Sequence, residues 1–93
     1  MSGSQKYKSS DDVVAREVAG EMVLLDLVSG MYFGLDPVGS RVWARLSDSP
    51  AGLSDLADVV EAEFDAPRDV IEQDLVRLLE QLAEKGLVEV DPA

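Results

Sequence analysis

Val23-Leu24-Leu25-Asp26-Leu27-Val28-Ser29-Gly30-Met31-Tyr32-Phe33-Gly34-Leu35-Asp36-Pro37-Val38-Gly39-Ser40-Arg41-Val42-Trp43 decides the fold, because it runs from strand through turn and strand into helix. Val28-Ser29-Gly30 is turn chemistry between two apolar runs, which predicts a β-hairpin. Its register follows from the pattern of faces. A two-residue loop would set Asp26 opposite Phe33 and Leu25 opposite Gly34, mixing apolar and polar residues on both faces. A three-residue loop with Gly30 in the left-handed position pairs Leu27 with Met31, Leu25 with Phe33 and Val23 with Leu35. One face is then wholly apolar, with Asp26, Tyr32 and Gly34 on the other. A slip of one residue flips every side chain, so this second register is the expected one. Asp36-Pro37 then opens a helix, since Asp is a good N-cap and Pro suits the first helical position.

Upstream, Val13–Val18 and Glu21–Leu27 are strand-like runs separated by Ala19-Gly20, the spacing of a tight hairpin. Residues 1–12 are polar and rich in Ser, Gly and Lys, and are expected to be a flexible N-terminal segment. Downstream, Val38, Val42, Trp43 and Leu46 recur at helical spacing over 37–47. Leu56, Val59, Val60 and Phe64 do so over 54–64, and Ile71, Leu75, Leu78 and Leu82 over 67–85. Lys85-Gly86 reads as a basic last turn with a terminating glycine. Leu87–Val90 reads as a short strand or extended tail. The expected fold class is α+β, a three-stranded antiparallel sheet followed by three helices (β-β-β-α-α-α), in one domain spanning 13–90. The third strand, Met31–Leu35, is then an edge unless Leu87–Val90 pairs with it. It carries neither charge nor Pro, the usual devices that blunt an edge, so a helix covers it or a partner strand uses it.

The chain has 93 residues, room for one small domain, and 46% of them are hydrophobic, enough to build a core. Cysteine and histidine are both absent, which excludes disulfides, thiolate nucleophiles, His-based triads and the commonest metal ligands. Nineteen acidic residues against eight basic ones give a net charge of -11, concentrated in the second half. That balance opposes a phosphate backbone, so no nucleic acid is expected as a partner. A winged-helix DNA-binding protein would put Asp69, Glu72, Asp74, Glu80 and Glu84 into the major groove against Arg68, Arg77 and Lys85, the wrong balance. An acyl-carrier protein is similarly small and acidic, but Asp48-Ser49-Pro50 lacks the Leu of the attachment motif and the first half is β-rich. No apolar run reaches the roughly 20 residues of a membrane span, and the N-terminus has no signal-peptide core, so a cytoplasmic protein without membrane contact is expected.

The stretch 23–43 resembles the core of the PqqD-like family: coenzyme PQQ synthesis protein D and the peptide-recognition elements of ribosomal peptide natural-product pathways. The shared pattern is a strand ending in Leu-Leu-Asp, a Ser-Gly turn, aromatic residues, Leu-Asp-Pro-x-Gly and a helix bearing a Trp. An acidic helix (Leu56–Phe64), a break at Pro67, a long helix (Val70–Glu84) and a closing Gly86-Leu87 complete it, so the likeness covers about 13–90. Its free-standing size is most like the leader-binding proteins of lasso-peptide pathways. The resemblance implies a winged-helix-like, non-catalytic domain without cofactor. It implies that the leader of a precursor peptide adds to the third strand, in the groove beside the third helix. The precursor would pass to a leader peptidase and a macrolactam-forming synthetase. A PQQ-biosynthesis-type peptide chaperone is the alternative within the family.

Strand addition draws affinity from the backbone and specificity from pockets for alternate side chains. The backbone and side chains of Val28, Met31, Tyr32, Phe33, Gly34 and Leu35 are the first candidate peptide-binding set. On the third helix two flanks border the apolar stripe: Val70, Asp74, Arg77 and Gln81, beside Leu78, on one side, and Glu72, Val76, Leu79 and Ala83 on the other. Sequence alone does not choose between them. The first is taken as the second candidate set, because a mixed polar flank next to an apolar stripe suits a groove. Burial preference meanwhile places Leu25, Phe33, Leu75 and Leu78 in the core. Trp43 is expected to anchor it, and Asp74 with Arg77 reads equally as a solvated pair at i, i+3.

Overall fold

Ala19 and Gly20 both adopt left-handed backbone conformations, φ 53° and 86°, the requirement of a two-residue hairpin turn whose twist matches its strands. They join β2 (Val13–Val18) to β3 (Glu21–Asp26), which pair antiparallel from Val18 opposite Glu21 to Val13 opposite Asp26. β4 (Tyr32–Gly34) pairs on the far side of β3, giving a sheet of order β2-β3-β4. The helices follow as α1 (Pro37–Asp48), α2 (Leu53–Glu63) and α3 (Arg68–Glu84), each within one residue of its sequence-predicted ends. The structure, a computed structural model, describes residues 5–91.

Two strands depart from the expected order. Lys6–Ser9 forms β1 and Val88–Asp91 forms β5, and the two pair in a separate antiparallel sheet. The expectation of a flexible segment over 1–12 is therefore corrected at Lys6–Ser9; residues 1–4 lie outside the described residues. Lys-Tyr-Lys-Ser has too little apolar alternation to announce a strand. Its order comes from pairing on both sides, because Tyr7 also exchanges backbone hydrogen bonds with Ala51 at 2.8 and 2.9 Å. β5 is thereby occupied by β1, leaving β4 as an edge of its own sheet.

The register of the β3–β4 hairpin is also corrected. Leu24 pairs with Phe33 and Leu25 with Tyr32, one residue away from the expected Leu25–Phe33 pair. The Asp26 side chain explains the slip. Its carboxylate accepts from the Val28 N–H at 3.0 Å and the Ser29 hydroxyl at 2.9 Å, while the Gly30 N–H donates to the Asp26 carbonyl at 2.7 Å. Asp26 and Met31 thus close a four-residue loop, with Gly30 at φ 75°. The faces exchange accordingly. Leu24 is fully buried, Val23 and Leu25 are half-buried on the outer face, and Leu27 and Met31 are exposed.

At the hinge between sheet and helices, the Asp36 carboxylate accepts from the Gly39 N–H at 2.7 Å and caps α1. Buried Ser40 links three elements: its hydroxyl accepts from the Met22 N–H at 2.9 Å and donates to the Leu35 carbonyl at 3.3 Å. Leu24, Leu35, Val42, Trp43, Leu46, Leu56, Val60, Leu87 and Val88 form the core with the inner stripe of α3. That stripe is Ile71, Leu75, Leu79 and Leu82, not Leu78, which is half-buried beside the core. α3 ends as expected: Gly86 takes φ 75°, its N–H bonds to the Ala83 carbonyl, and the Leu87 N–H bonds to the Leu82 carbonyl.

Candidate functional site

In an antiparallel ladder, hydrogen-bonded and non-hydrogen-bonded pairs alternate. The Asp26 N–H donates to the Met31 carbonyl and the Leu35 N–H to the Met22 carbonyl, both at 2.9 Å. Phe33, midway, is therefore the β4 residue that bonds to β3, and the N–H and C=O groups of Tyr32 and Gly34 point to the open side. This edge is what sequence patterning anticipated. The N–H groups free for a new strand are those of Tyr32 and Gly34, since the Phe33 backbone faces β3.

Beside the edge runs a groove of about 300 Å³. Phe33, Gly34, Leu35 and Asp36 form one wall, α3 supplies Leu78, Gln81 and Leu82 with Lys85 at its C-cap, and Leu87 closes it. This volume is at the small end of the roughly 300–1,000 Å³ of small-molecule pockets, a size for a few peptide side chains. Of the sequence-predicted residues, the groove brings together Phe33, Gly34, Leu35, Leu78 and Gln81. Tyr32 is 70% exposed on the opposite face of the sheet, while Val28 and Met31 are exposed at the loop.

Val70, Asp74 and Arg77 are exposed on α3 and do not line the groove. Arg77 faces Asp74 at 3.7 Å and belongs to a shallow hollow with Gln73, Val76 and Glu80. For Arg77 the helical period explains the difference, whereas Val70 and Asp74 lie at the other end of the helix from the groove. At about 100° per residue, Arg77 lies about 155° from the middle of the buried stripe, whereas Lys85 lies about 75° from it. Lys85 was the residue missed, because its place before Gly86 gave it a sufficient role at the helix end. The signal was present in its spacing, four residues after Gln81 and seven after Leu78. Its ammonium stands 5.8 Å from the centre of the Phe33 ring, within the range of a cation–π contact.

The groove wall is held at its far end by Arg68, in the first turn of α3. Its guanidinium reaches Asp58 at 2.8 Å and Glu61 at 3.1 Å on α2, and Glu72 at 2.9 Å on α3. Hydrogen bonds to Asp58, then Glu72, push it above the ordinary guanidinium range, so this cation persists at any practical pH. Among the described residues, no cluster of His, Cys, Asp or Glu could hold a metal ion, and no helix is long and apolar enough to cross a membrane. The described residues of the site offer backbone hydrogen bonding, apolar contact, the Lys85 ammonium and the Asp36 carboxylate that caps α1. Those are the means of holding a peptide.

The family model described as coenzyme PQQ synthesis protein D (PqqD) matches residues 21–88. The chain belongs to the PqqD family. That span runs from the first residue of β3 to β5 and contains both walls of the groove. No curated protein matches the chain. Two solved structures are similar to it. TbiB1, in complex with the TbiA(beta) leader peptide, is 43% identical with a TM-score of 0.82, covering 88% of this PqqD-family chain and 94% of its own. A lasso peptide synthetase B1 complexed with the leader peptide is 26% identical with a TM-score of 0.78, the coverage being 89% and 96%.

Proposed function

We propose that this chain binds the leader region of a ribosomally made precursor peptide as a strand added to β4, in the groove beside α3. It would deliver that precursor to a leader peptidase and a macrolactam synthetase in the cytoplasm, in lasso-type peptide biosynthesis. The observation that carries the proposal is the open, uncharged edge at Tyr32–Gly34 beside a groove lined by α3. The likeness to two leader-peptide complexes supports it. The family model by itself also admits a PQQ-type peptide chaperone, but the likeness to a lasso peptide synthetase B1 favours the lasso pathway. On this reading the chain is a single, winged-helix-like recognition domain without cofactor, and the chemistry belongs to its partner enzymes.

The backbone of Tyr32 and Gly34 contributes ladder hydrogen bonds, each worth about 0.5–1.5 kcal/mol net. Side chains of the added strand alternate, so one set enters the groove over Phe33 and Leu78 while the other lies outward beside Tyr32. Tyr32→Pro tests this directly. Proline is tolerated on an edge strand whose N–H faces outward, so the fold should persist while one ladder donor is lost. With the TbiA(beta) leader peptide as probe, we expect amide-shift changes at residues 32–36 and 78–85, and about 2- to 12-fold weaker binding to Tyr32→Pro. Binding that shifts only α1 and α2 amides, or that Tyr32→Pro leaves unchanged, would refute strand addition.

A further inference from the structure

We infer that Lys85 is a specificity-determining residue of the groove, selecting a carboxylate-bearing side chain at one position of the bound peptide. The inference rests on the proposed strand addition to β4 and deepens it. Among the described residues Lys85 carries the only ammonium on the groove, and none of their ion pairs includes it. By contrast, Arg41, Arg68 and Arg77 are each paired with carboxylates. The Phe33 ring lies 5.8 Å from the Lys85 ammonium and offers it no oxygen acceptor, so a peptide carboxylate would supply one. The groove's own carboxylate, Asp36, is engaged by the Gly39 N–H at 2.7 Å.

The surrounding charge sharpens the selection. In a chain of net charge -11, an acidic side chain on a docked peptide meets repulsion over most of the surface. Beside Lys85 it meets an unpaired cation. Side chains of an added strand alternate, so only groove-facing positions near Phe33 come within reach. A carboxylate is therefore favoured at one position and disfavoured elsewhere, which fixes register as well as identity. The competing role for Lys85 is compensation of the α3 dipole at its C-terminus, which affects stability without any preference among peptides.

The test uses the TbiA(beta) leader peptide in a positional series, each position in turn carrying Glu, Gln or Lys. Each peptide is titrated against the wild-type chain, Lys85→Glu and Lys85→Met, with amide shifts recorded at Tyr32–Gly34. At one position the wild type should prefer Glu over Lys by about fivefold, the scale of a partly exposed ion pair. Lys85→Glu should reverse that preference at the same position. Lys85→Met, which keeps an apolar contact with Phe33, should abolish it, and it serves should Lys85→Glu fail to fold. Peptides that shift β4 amides but show the same Glu-to-Lys ratio with all three proteins overturn the inference alone. A lower melting temperature with unchanged peptide preference assigns Lys85 to the helix dipole and overturns it too. If no peptide perturbs β4, strand addition itself has failed.

Discussion

Leu24 and Leu25 are adjacent leucines with opposite fates, and the difference is set by the carboxylate of Asp26. That side chain caps the Leu27–Gly30 loop, lengthens it by one residue over the three expected, and turns Leu24 inward. Leu24→Ala should cost about 2–5 kcal/mol, the range for a buried leucine, while half-buried Leu25→Ala should cost clearly less. Denaturant midpoints of the two variants check this, and equal losses would contradict the observed register. Ser40 has a similar reach for its size. Ser40→Ala leaves the Met22 N–H without its acceptor and should cost about 1–3 kcal/mol, read as a lower urea midpoint at unchanged slope.

Among the elements, the β2–β3 hairpin holds a correctable defect. Ala19 sits at φ 53°, where an L-residue with a Cβ is disfavoured by about 1–2 kcal/mol. Ala19→Asn creates Asn-Gly, the preferred pair for this turn, and should stabilise the chain by up to about 1 kcal/mol in thermal or chemical unfolding. Gly20 beside it is already the residue the turn requires, at φ 86°. α3 illustrates the opposite situation, in which one helix serves two purposes. Its inner stripe packs the core, while the adjoining flank of Leu78, Gln81 and Lys85 faces the β4 edge.

For the whole molecule, the β1–β5 pair joins the chain ends. β1 hydrogen-bonds Val88–Asp91 on one side and Ala51 on the other, above the buried side chains of Leu87 and Val88. Deleting residues 1–9 should lower the melting temperature, by about 4–8 °C for each kcal/mol lost, and should abolish hydrogen-exchange protection in Val88–Val90. An unchanged melting temperature would mean that β1 contributes nothing to the fold. The groove beside β4 lies at the other sheet, so on the proposed function peptide binding by the truncated chain should change less than stability does.

Much of this was legible in the sequence because it depends on local chemistry. The Ala19-Gly20 turn, the Asp36-Pro37 cap, the Gly86 stop and the three amphipathic periods each follow from backbone sterics and spacing within a few residues. The edge at Tyr32–Gly34 followed from strand order, on the condition that Leu87–Val90 did not pair with it. The folded structure alone showed three things, two of them set by tertiary packing and one by a local side-chain cap. The pairing of Lys6–Ser9 with Val88–Asp91 links opposite ends of the chain and leaves no local trace. The hairpin register turned on the Asp26 side chain capping its own loop, which outweighed a tidier apolar pattern. The rotation of α3 about its axis buried Leu79 in preference to Leu78 and brought Lys85 to the groove while Arg77 faced away. Helical periodicity places a stripe to within a residue's turn; only packing against the neighbouring α2 and sheet selects which flank meets the open strand.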